Sequence, residues 1–352
     1  MPAAASADRR HAAPRAAAGA GIAAAGALAL LVCGGCDDPP LLRSADGSYE
    51  LRAALPRPGA PAPPETDTFA ALLQRDVDAV LAQRVGTAHD LSLWAHQRDH
   101  AGLLLVGIGD GVPELGPAWV ADGSLAASIE PQLGADTALD LAVLLCRDVA
   151  IARPEILLGC RIVRANEPEG RPQPHPDDLY LTALRARHAA ELADPKPLRL
   201  GVVLGAGGAP LRQAQRAQCE AWGARHAFAT LDVRPADDAD AQRQALRELA
   251  DAGADAVVLS PFDAAATAEA CRAAVARGVR VVVLGASVTT AGATLAVRAD
   301  DELLGRAAGN AMRALLPDGG GIAELLDPQL DAESAQRRRL GFAAALGLEP
   351  PR

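Results

Sequence analysis

The sequence feature that most restricts this fold is a regular alternation of short apolar runs with amphipathic helical segments after residue 197. Runs such as AVVLS (256–260) and VVVLG (281–285) contain no charged residue, and Ser260 is their one polar side chain. Such strands are typical of a parallel sheet that helices cover on both faces. This pattern predicts strands at 198–204, 227–233, 255–259, 279–284, 293–298 and 321–326, and helices at 210–225, 238–252, 264–277, 301–316 and 333–345.

A second and less regular βα series precedes residue 166. It predicts strands at 49–55, 77–83, 103–108, 125–129 and 155–164, and helices at 69–75, 87–98, 112–122 and 134–148. The proline-rich, charged run EPEGRPQPHPDD (167–178) predicts a linker, and one helix follows it at 179–192. With 352 residues the chain is long enough for about two domains. We therefore predict two α/β lobes with parallel sheets.

The N-terminus has the pattern of an export signal. Basic residues Arg9, Arg10 and Arg15 precede an uncharged stretch at 16–32, and Cys33-Gly34-Gly35-Cys36 follows it directly. Small residues directly before a cysteine resemble a lipobox, which predicts cleavage and lipidation at Cys36. A plain signal peptide or an uncleaved anchor are the alternatives. The expected location is the periplasm, with a lipid anchor in a bacterial membrane.

Composition argues against several classes of function. The net charge is −10 without a basic patch, which disfavours nucleic-acid binding. The cysteines at 146, 160, 219 and 271 lack metal-site spacing and are expected to be buried free thiols. The run GAGGAP at 205–210 only partly matches a dinucleotide fingerprint, because Pro210 replaces the third glycine. We expect no metal, no cofactor and no enzymatic activity.

Five stretches after residue 197 resemble, in order, segments of the type I periplasmic binding proteins, the family of ribose-binding and other sugar-binding ABC solute receptors. They are LRLGVVL (198–204), ELADAGADAVVLSPFDAAA (248–266), ARGVRVVVLGAS (276–287), VRADDELLGRAAGNAMRALL (297–316) and RRRLGFAAAL (337–346). The resemblance implies two Rossmann-like lobes around a ligand cleft. It also implies a monomer that closes on its ligand through a hinge, for uptake by an ABC permease or signalling through a sensor kinase.

The order of the segments differs from that of the family. The stretches at 49–55, 69–84, 103–114, 122–145 and 155–165 resemble second-lobe segments that would normally follow residue 346. We interpret this as a circular permutation, with a fusion of two truncated modules or an incorrectly assembled gene as alternatives. The predicted organisation is a signal peptide (1–36), most of the second lobe (37–165), a linker with one helix (166–197), the first lobe (198–320), and a strand and helix that complete the second lobe (321–352).

The resemblance also indicates candidate ligand-binding residues, one position at a time. They are Arg84, Asp110, Glu130, Asp263, Asp300 and Gln336. For Asp263 and Asp300 helix N-capping is the stronger alternative, and Arg338 is expected to have a structural role.

The family's sugar-binding aspartate is replaced by Gly285, and few aromatics are available for stacking, since they make up only 3% of the residues. The predicted ligand is therefore a small polar molecule, sugar-like or related. A sensory receptor and a degenerate module without a ligand remain open, and a nucleotide-dependent enzyme is the last alternative.

Overall fold

Two β-sheets contain the fifteen strands of the described residues in the computed structural model. The structure describes residues 42–56, 77–98, 102–109, 114–205, 209–327, 330 and 332–349. The predicted signal peptide, Cys36, Asp110 and the predicted helix at 69–75 lie outside these residues. Within them, no helix has the length and apolar character needed to cross a membrane.

The elements follow one another closely along the chain. The strands are β1 (Leu42–Ser44), β2 (Tyr49–Pro56), β3 (Ala79–Ala82), β4 (Leu104–Ile108), β5 (Ala127–Pro131), β6 (Glu155–Leu158), β7 (Cys160–Arg164), β8 (Glu167–Gln173), β9 (Leu198–Leu204), β10 (Ala229–Pro235), β11 (Ala256–Ser260), β12 (Arg280–Leu284), β13 (Leu295–Ala299), β14 (Gly320–Leu326) and β15 (Leu348–Glu349). The helices are α1 (Val85–His96), α2 (Leu115–Ala121), α3 (Ala135–Cys146), α4 (Pro176–Arg187), α5 (Ala189–Ala193), α6 (Ala209–Arg225), α7 (Ala239–Asp251), α8 (Ala264–Ala276), α9 (Val288–Ala291), α10 (Asp301–Leu315) and α11 (Ala332–Leu346).

The six-stranded sheet has the order β10-β9-β11-β12-β13-β6, and all its neighbours are parallel. Every residue of β11 is buried. One face of this sheet packs against α3, α4 and α6, and the other packs against α7, α8 and α9. We call this sheet with its helices the first lobe. Its apolar strands and two helical layers confirm the α/β fold class predicted from the sequence.

The nine-stranded sheet has the order β15-β1-β2-β14-β3-β4-β5-β7-β8. Strand β14 lies between β2 and β3 and is parallel to both, although nearly the whole chain separates it from β2. Helices α10 and α11 cover one face, and α1 and α2 cover the other. We call this sheet with its helices the second lobe. Both ends of the described chain therefore contribute strands to one sheet.

Helices α10 and α11 pack backbone against backbone. A Cβ atom on Gly305 would overlap the carbonyl oxygen of Arg338, and one on Gly341 would overlap the carbonyl oxygen of Glu302. The close approach allows Phe342 to be fully buried beneath α10. Glycine is required at both positions because the two helices leave no space for a side chain.

The structure corrects the prediction of a single strand at 155–164. This segment is two strands that break at Gly159, so that β6 is the edge of the first lobe and β7 is part of the second. Helix α3 also packs in the first lobe, although its sequence falls within the range predicted for the second. Continuous apolar character cannot reveal such a break, because both strands are buried in their own sheets.

The predicted linker also contains an element that the sequence did not reveal. Residues Glu167–Gln173 form β8, which pairs with β7 at the edge of the second lobe, and two helices follow it instead of one. Pro168 and Pro172 are compatible with this strand because β8 pairs on one side only, so their missing N–H groups remove no second ladder.

Four connections join the lobes within the described residues. They are the connections from β5 to α3, from β6 to β7, from β8 to α4 and from β13 to α10. At the last of these, the start of α10 fixes the side chain of Asp300, whose carboxylate accepts a hydrogen bond from the Glu302 N–H at 3.0 Å. His175, in the β8 to α4 connection, has its Nε2 atom 3.5 Å from Asp300 Oδ2. Two of the four connections therefore contact each other.

Candidate functional site

A cleft of about 700 Å³ opens between the lobes at the carboxyl ends of their parallel strands. The first lobe lines it with the segments that follow β11 and β12 and with β13. The second lobe lines it with the segments that follow β3, β4, β5 and β14 and with α11. Ligands of open parallel sheets bind at this edge, because the loops there converge. A volume of this size suits a small molecule.

The described lining of the cleft is nearly balanced in charge. It contains three arginines (Arg84, Arg298 and Arg338) and three carboxylates (Asp301, Asp327 and Glu333). Arg84 Nε lies 3.1 Å from Asp327 Oδ2 in the second lobe. Arg298 Nε lies 3.4 Å from Oε2 of Glu155, which is outside the lining. Because each arginine has a carboxylate partner, the cleft offers no concentrated charge to an ionic ligand.

Arg338 connects three elements at the base of the cleft. Its Nε atom lies 2.8 Å from Asp301 Oδ1 at the start of α10, and its Nη1 atom donates to the Gln83 carbonyl at 2.9 Å. Asp301 is 94% buried, since its relative exposure is 6%. An ion pair with little solvent is costly to break, because either partner alone would be an uncompensated buried charge. The structural role that the sequence predicts for Arg338 therefore agrees with its contacts, although the residue also lines the cleft.

A buried carboxylate supports this end of the second lobe. Glu324, on β14, accepts a hydrogen bond from Gln83 Nε2 at 2.7 Å and lies 3.4 Å from Arg339 Nε. Burial raises the pKa of Glu324, and the neighbouring guanidinium and the hydrogen bond oppose this shift only in part. The residue faces α11, and its contacts hold the ends of β3 and β14 in register below the cleft.

The segment after β11 is held by one buried side chain. Gln242 donates from Nε2 to the Ser260 carbonyl at 2.8 Å and accepts at Oε1 from the Phe262 N–H at 2.7 Å. Gln242 is completely buried, so this clamp is shielded from water. Phe262 lines the cleft with 59% of its surface exposed. The sequence predicted a cleft poor in aromatics. Phe262 could have been identified from its position two residues after the buried strand β11.

The segment after β12 contains Gly285, where the resembling family carries an aspartate. Its φ is +76°, in the left-handed region that side chains rarely adopt, although the space around it is open. A carboxylate at this position would therefore be strained by the backbone and not by its neighbours. Ser287, two residues later, lines the cleft and caps α9 through the Thr290 N–H at 3.2 Å.

The structure separates the predicted ligand-binding residues. Among those it describes, Arg84 alone lines the cleft, and Asp110 lies outside the described residues. Glu130 is buried on β5, where it accepts a hydrogen bond from the Ser128 hydroxyl and stands against Gly116 of α2. Its carboxylate therefore faces a helix of its own lobe.

The other three predicted residues also point elsewhere. Asp263 caps α8, accepting from the Ala266 N–H at 2.9 Å, and Asp300 caps α10. Gln336 is exposed on α11, outside the lining of the cleft. The helix-cap alternative for the two aspartates thus agrees with their hydrogen bonds. Residues such as Arg298 and Gln215 line the cleft without having been predicted, because no motif marks them in the sequence.

The described residues contain no cluster of side chains suited to a metal ion. No three of their His, Cys, Asp or Glu side chains converge to hold one. The cysteines at 146, 160, 219 and 271 are free thiols, and burial raises the pKa of each. Three of them are buried as predicted, whereas Cys146 is only partly buried.

Three solved structures of binding proteins each align with less than half of this chain. An ABC transporter solute-binding protein from Mycobacterium smegmatis with bound glycerol is 29% identical, with 43% of this chain and 52% of that chain covered and a TM-score of 0.37. A solute-binding protein from Burkholderia graminis in complex with D-arabinose is 17% identical, with 44% and 53% covered and a TM-score of 0.36. The fructose-binding periplasmic domain of a hybrid two-component system is 20% identical, with 42% and 49% covered and a TM-score of 0.33. The chain thus spans about half the length of each of these structures.

No curated protein matches the chain in sequence. The family model described as periplasmic binding protein domain matches residues 200–350. This region begins in β9 and ends just after β15, so it includes all five stretches that carry the sequence resemblance except the first two residues of β9. Over residues 200–350 the chain is therefore similar to the periplasmic binding protein domain family.

Proposed function

We propose that the chain is an exported, lipid-anchored solute-binding protein that captures a small polar molecule between its lobes for ABC uptake. The observation that carries this proposal is the cleft of about 700 Å³ at the carboxyl ends of strands from both sheets. The family match over residues 200–350 supports a binding role, and the N-terminal sequence pattern supports export. Binding works by closure, because a ligand that contacts both lobes favours the closed state by its extra affinity for it.

The chemistry of the cleft favours a ligand without net charge. Its three arginines are already paired with carboxylates, so a ligand anion would have to compete with existing ion pairs. Hydroxyl groups on Ser260, Ser287 and Thr290 add neutral hydrogen-bonding positions on the first-lobe side. Neutral molecules with several hydroxyl groups fit this lining better than carboxylates or phosphates do.

We also propose that the chain is a circular permutant of the family, with 166–197 connecting the family's former C-terminus to its former N-terminus. The support is the insertion of β14 between β2 and β3, which makes segments from both halves of the sequence neighbours in one sheet. Under this proposal the second lobe consists of β1 to β5, β7, β8, β14 and β15 with α1, α2, α10 and α11. The first lobe then consists of β6 and β9 to β13 with α3, α4 and α6 to α9.

A thermal-shift screen of the purified protein tests the binding proposal. The neutral set contains D-arabinose, D-fructose and glycerol, and the charged set contains L-glutamate, D-glucuronate and glucose 6-phosphate. A ligand that binds only the folded state raises the melting temperature, because at 100 times its Kd it adds about 2.7 kcal/mol to the free energy of unfolding. We expect a rise with a member of the neutral set. A cooperative melt that no compound in either set shifts would contradict the proposal.

Two matched arginine variants locate the binding. Arg84→Met removes a guanidinium that lines the cleft, whereas Arg216→Met removes one that pairs with Glu220 on α6, outside the cleft. Each variant is compared with its own ligand-free melting temperature. We expect the ligand-induced rise to shrink in Arg84→Met and to be unchanged in Arg216→Met. Equal rises in both variants would place binding elsewhere.

A further inference from the structure

Gln215 is a polar residue in the cleft wall whose amide oxygen has no hydrogen-bond partner among the residues that the structure describes. It lies on α6 with a relative exposure of 5%, and it lines the cleft. Its Oε1 atom is buried and accepts no hydrogen bond. Leu211, one helical turn earlier, lines the cleft as well, so this face of α6 fronts the site. Gln215 therefore borders the space that a ligand would occupy, and its buried oxygen meets a ligand when the amide turns toward the cleft.

An unpaired buried carbonyl oxygen destabilises the ligand-free protein. Groups of this kind are nearly always hydrogen-bonded, since leaving one unsatisfied forfeits its hydration without compensation. The neighbouring amide on the same helix shows the contrast, because Gln218 Oε1 accepts from the Ala135 N–H at 3.2 Å. An unsatisfied group that persists at a binding site is expected where a ligand supplies the missing donor.

Phe262 provides a second, different surface on the same wall. The Gln242 clamp fixes the backbone of 260–262, and the ring remains largely exposed at the cleft. An aromatic face of this kind packs against the apolar face of a ring or a chain of C–H groups. The ring takes no part in the buried apolar clusters of the first lobe, so packing of the core does not account for its position.

We propose that Gln215 and Phe262 form a ligand subsite on the first-lobe wall, specific for a neutral ligand that carries a hydroxyl or amide donor beside an apolar face. The proposal rests on the binding function proposed above and assigns the specificity of that cleft to two residues. The ligand donor satisfies Gln215 Oε1 while its apolar face lies on the Phe262 ring. The subsite discriminates against analogues without the donor, because they leave the buried oxygen unpaired.

Gln215→Leu tests the amide and also separates a ligand contact from a structural one. Leucine removes the unsatisfied oxygen but fills a similar volume, so the ligand-free melting temperature should stay the same or rise. Affinity for the neutral compound that wild type binds most tightly (D-arabinose, D-fructose or glycerol), measured by titration calorimetry, should fall roughly tenfold, the effect of one lost hydrogen bond. Gln218→Leu is the control, and it should lower the ligand-free melting temperature while leaving affinity unchanged.

Phe262→Ala tests the ring at a position too exposed to unfold the protein. It should weaken the same compound several-fold without lowering the ligand-free melting temperature. Wild-type binding that neither Gln215→Leu nor Phe262→Ala weakens would overturn the subsite while leaving the proposed function standing. A lower ligand-free melting temperature in Gln215→Leu with unchanged affinity would assign the amide a structural role and also overturn it. If wild type binds no compound of either set, the proposed function and the subsite fail together, and if it binds only a charged compound, the subsite alone fails.

Discussion

The close packing of α10 on α11 gives a quantitative prediction for Gly341→Ala. A methyl group at this position would overlap the carbonyl oxygen of Glu302, which is backbone and cannot rotate away. The two helices would have to move apart, and Phe342, which is fully buried beside the contact, would move with them. Overpacking of this kind costs about 1–3 kcal/mol or more.

Helix propensity acts in the opposite direction and can be measured separately. Alanine in place of glycine in a helix interior gains up to about 1 kcal/mol. At Gly223, in α6, the nearest atom to a new Cβ would be Leu231 Cδ2 at 3.6 Å, which is an ordinary contact. Gly223→Ala should therefore stabilise the protein slightly, whereas Gly341→Ala should destabilise it by up to about 2 kcal/mol after the full propensity gain is subtracted.

Thermal and urea unfolding of both variants are the assays. Each kcal/mol corresponds to roughly 2–4 °C in melting temperature for a protein of this size class. The reasoning predicts shifts of opposite sign for the two glycines. A Gly341→Ala variant as stable as Gly223→Ala would refute the backbone contact between α10 and α11.

Three further predictions concern single residues. Glu324→Gln should stabilise the protein more and more as the pH rises above 4.5, the ordinary pKa of the group. The raised pKa means that the folded wild-type protein prefers protonated Glu324, so its stability falls as the pH rises toward the folded pKa, whereas glutamine does not titrate. Urea midpoints that differ between variant and wild type by the same amount at every pH would contradict this. Asp263→Ala should cost about 0.5–2 kcal/mol through the lost cap, and Asp263→Asn should cost little, with ligand affinity unchanged in both; weaker binding in titration calorimetry would make Asp263 a ligand contact instead. Burial raises the pKa of the Cys160 and Cys219 thiols to about 12, so mass spectrometry should find them alkylated at pH 8 only after denaturation, and rapid labelling of the native protein would be inconsistent with their burial.

The sequence predicted the regular part of the fold because its strands are buried on both faces. The strand predicted at 198–204 is β9 without any shift, and the helix predicted at 264–277 differs from α8 by one residue. Such elements depend on local apolar periodicity and on caps such as Asp263, which are both visible in the chain. Their arrangement as a parallel α/β sheet follows from the same pattern.

Elements whose structure depends on distant partners could not be predicted in this way. The break at Gly159 separates two strands that are equally apolar, and only the presence of two sheets decides which residues pair with which. Strand β8 contains prolines and charges, which are typical of a linker, and it forms because β7 offers it an edge. Tertiary context overrides local propensity in both cases.

The candidate site was less predictable than the fold. Its position at the carboxyl ends of the strands follows from the topology. Arg84 lines the cleft at that edge, and its role in ligand binding stays a prediction. Carboxylates such as Glu130 and Asp300 were predicted by alignment with a motif, but one faces a helix of its own lobe and the other caps one. The orphaned amide of Gln215 can be found only from the packing around it.

The measurement that tests the central claim most directly is closure of the cleft in solution. Small-angle X-ray scattering of the purified protein, with and without the compound that raises its melting temperature most, reports the radius of gyration. Capture between two lobes predicts a smaller radius in the presence of the ligand, and a smaller decrease for Arg84→Met at the same subsaturating ligand concentration. An unchanged radius for the wild-type protein at saturating ligand would contradict binding by closure.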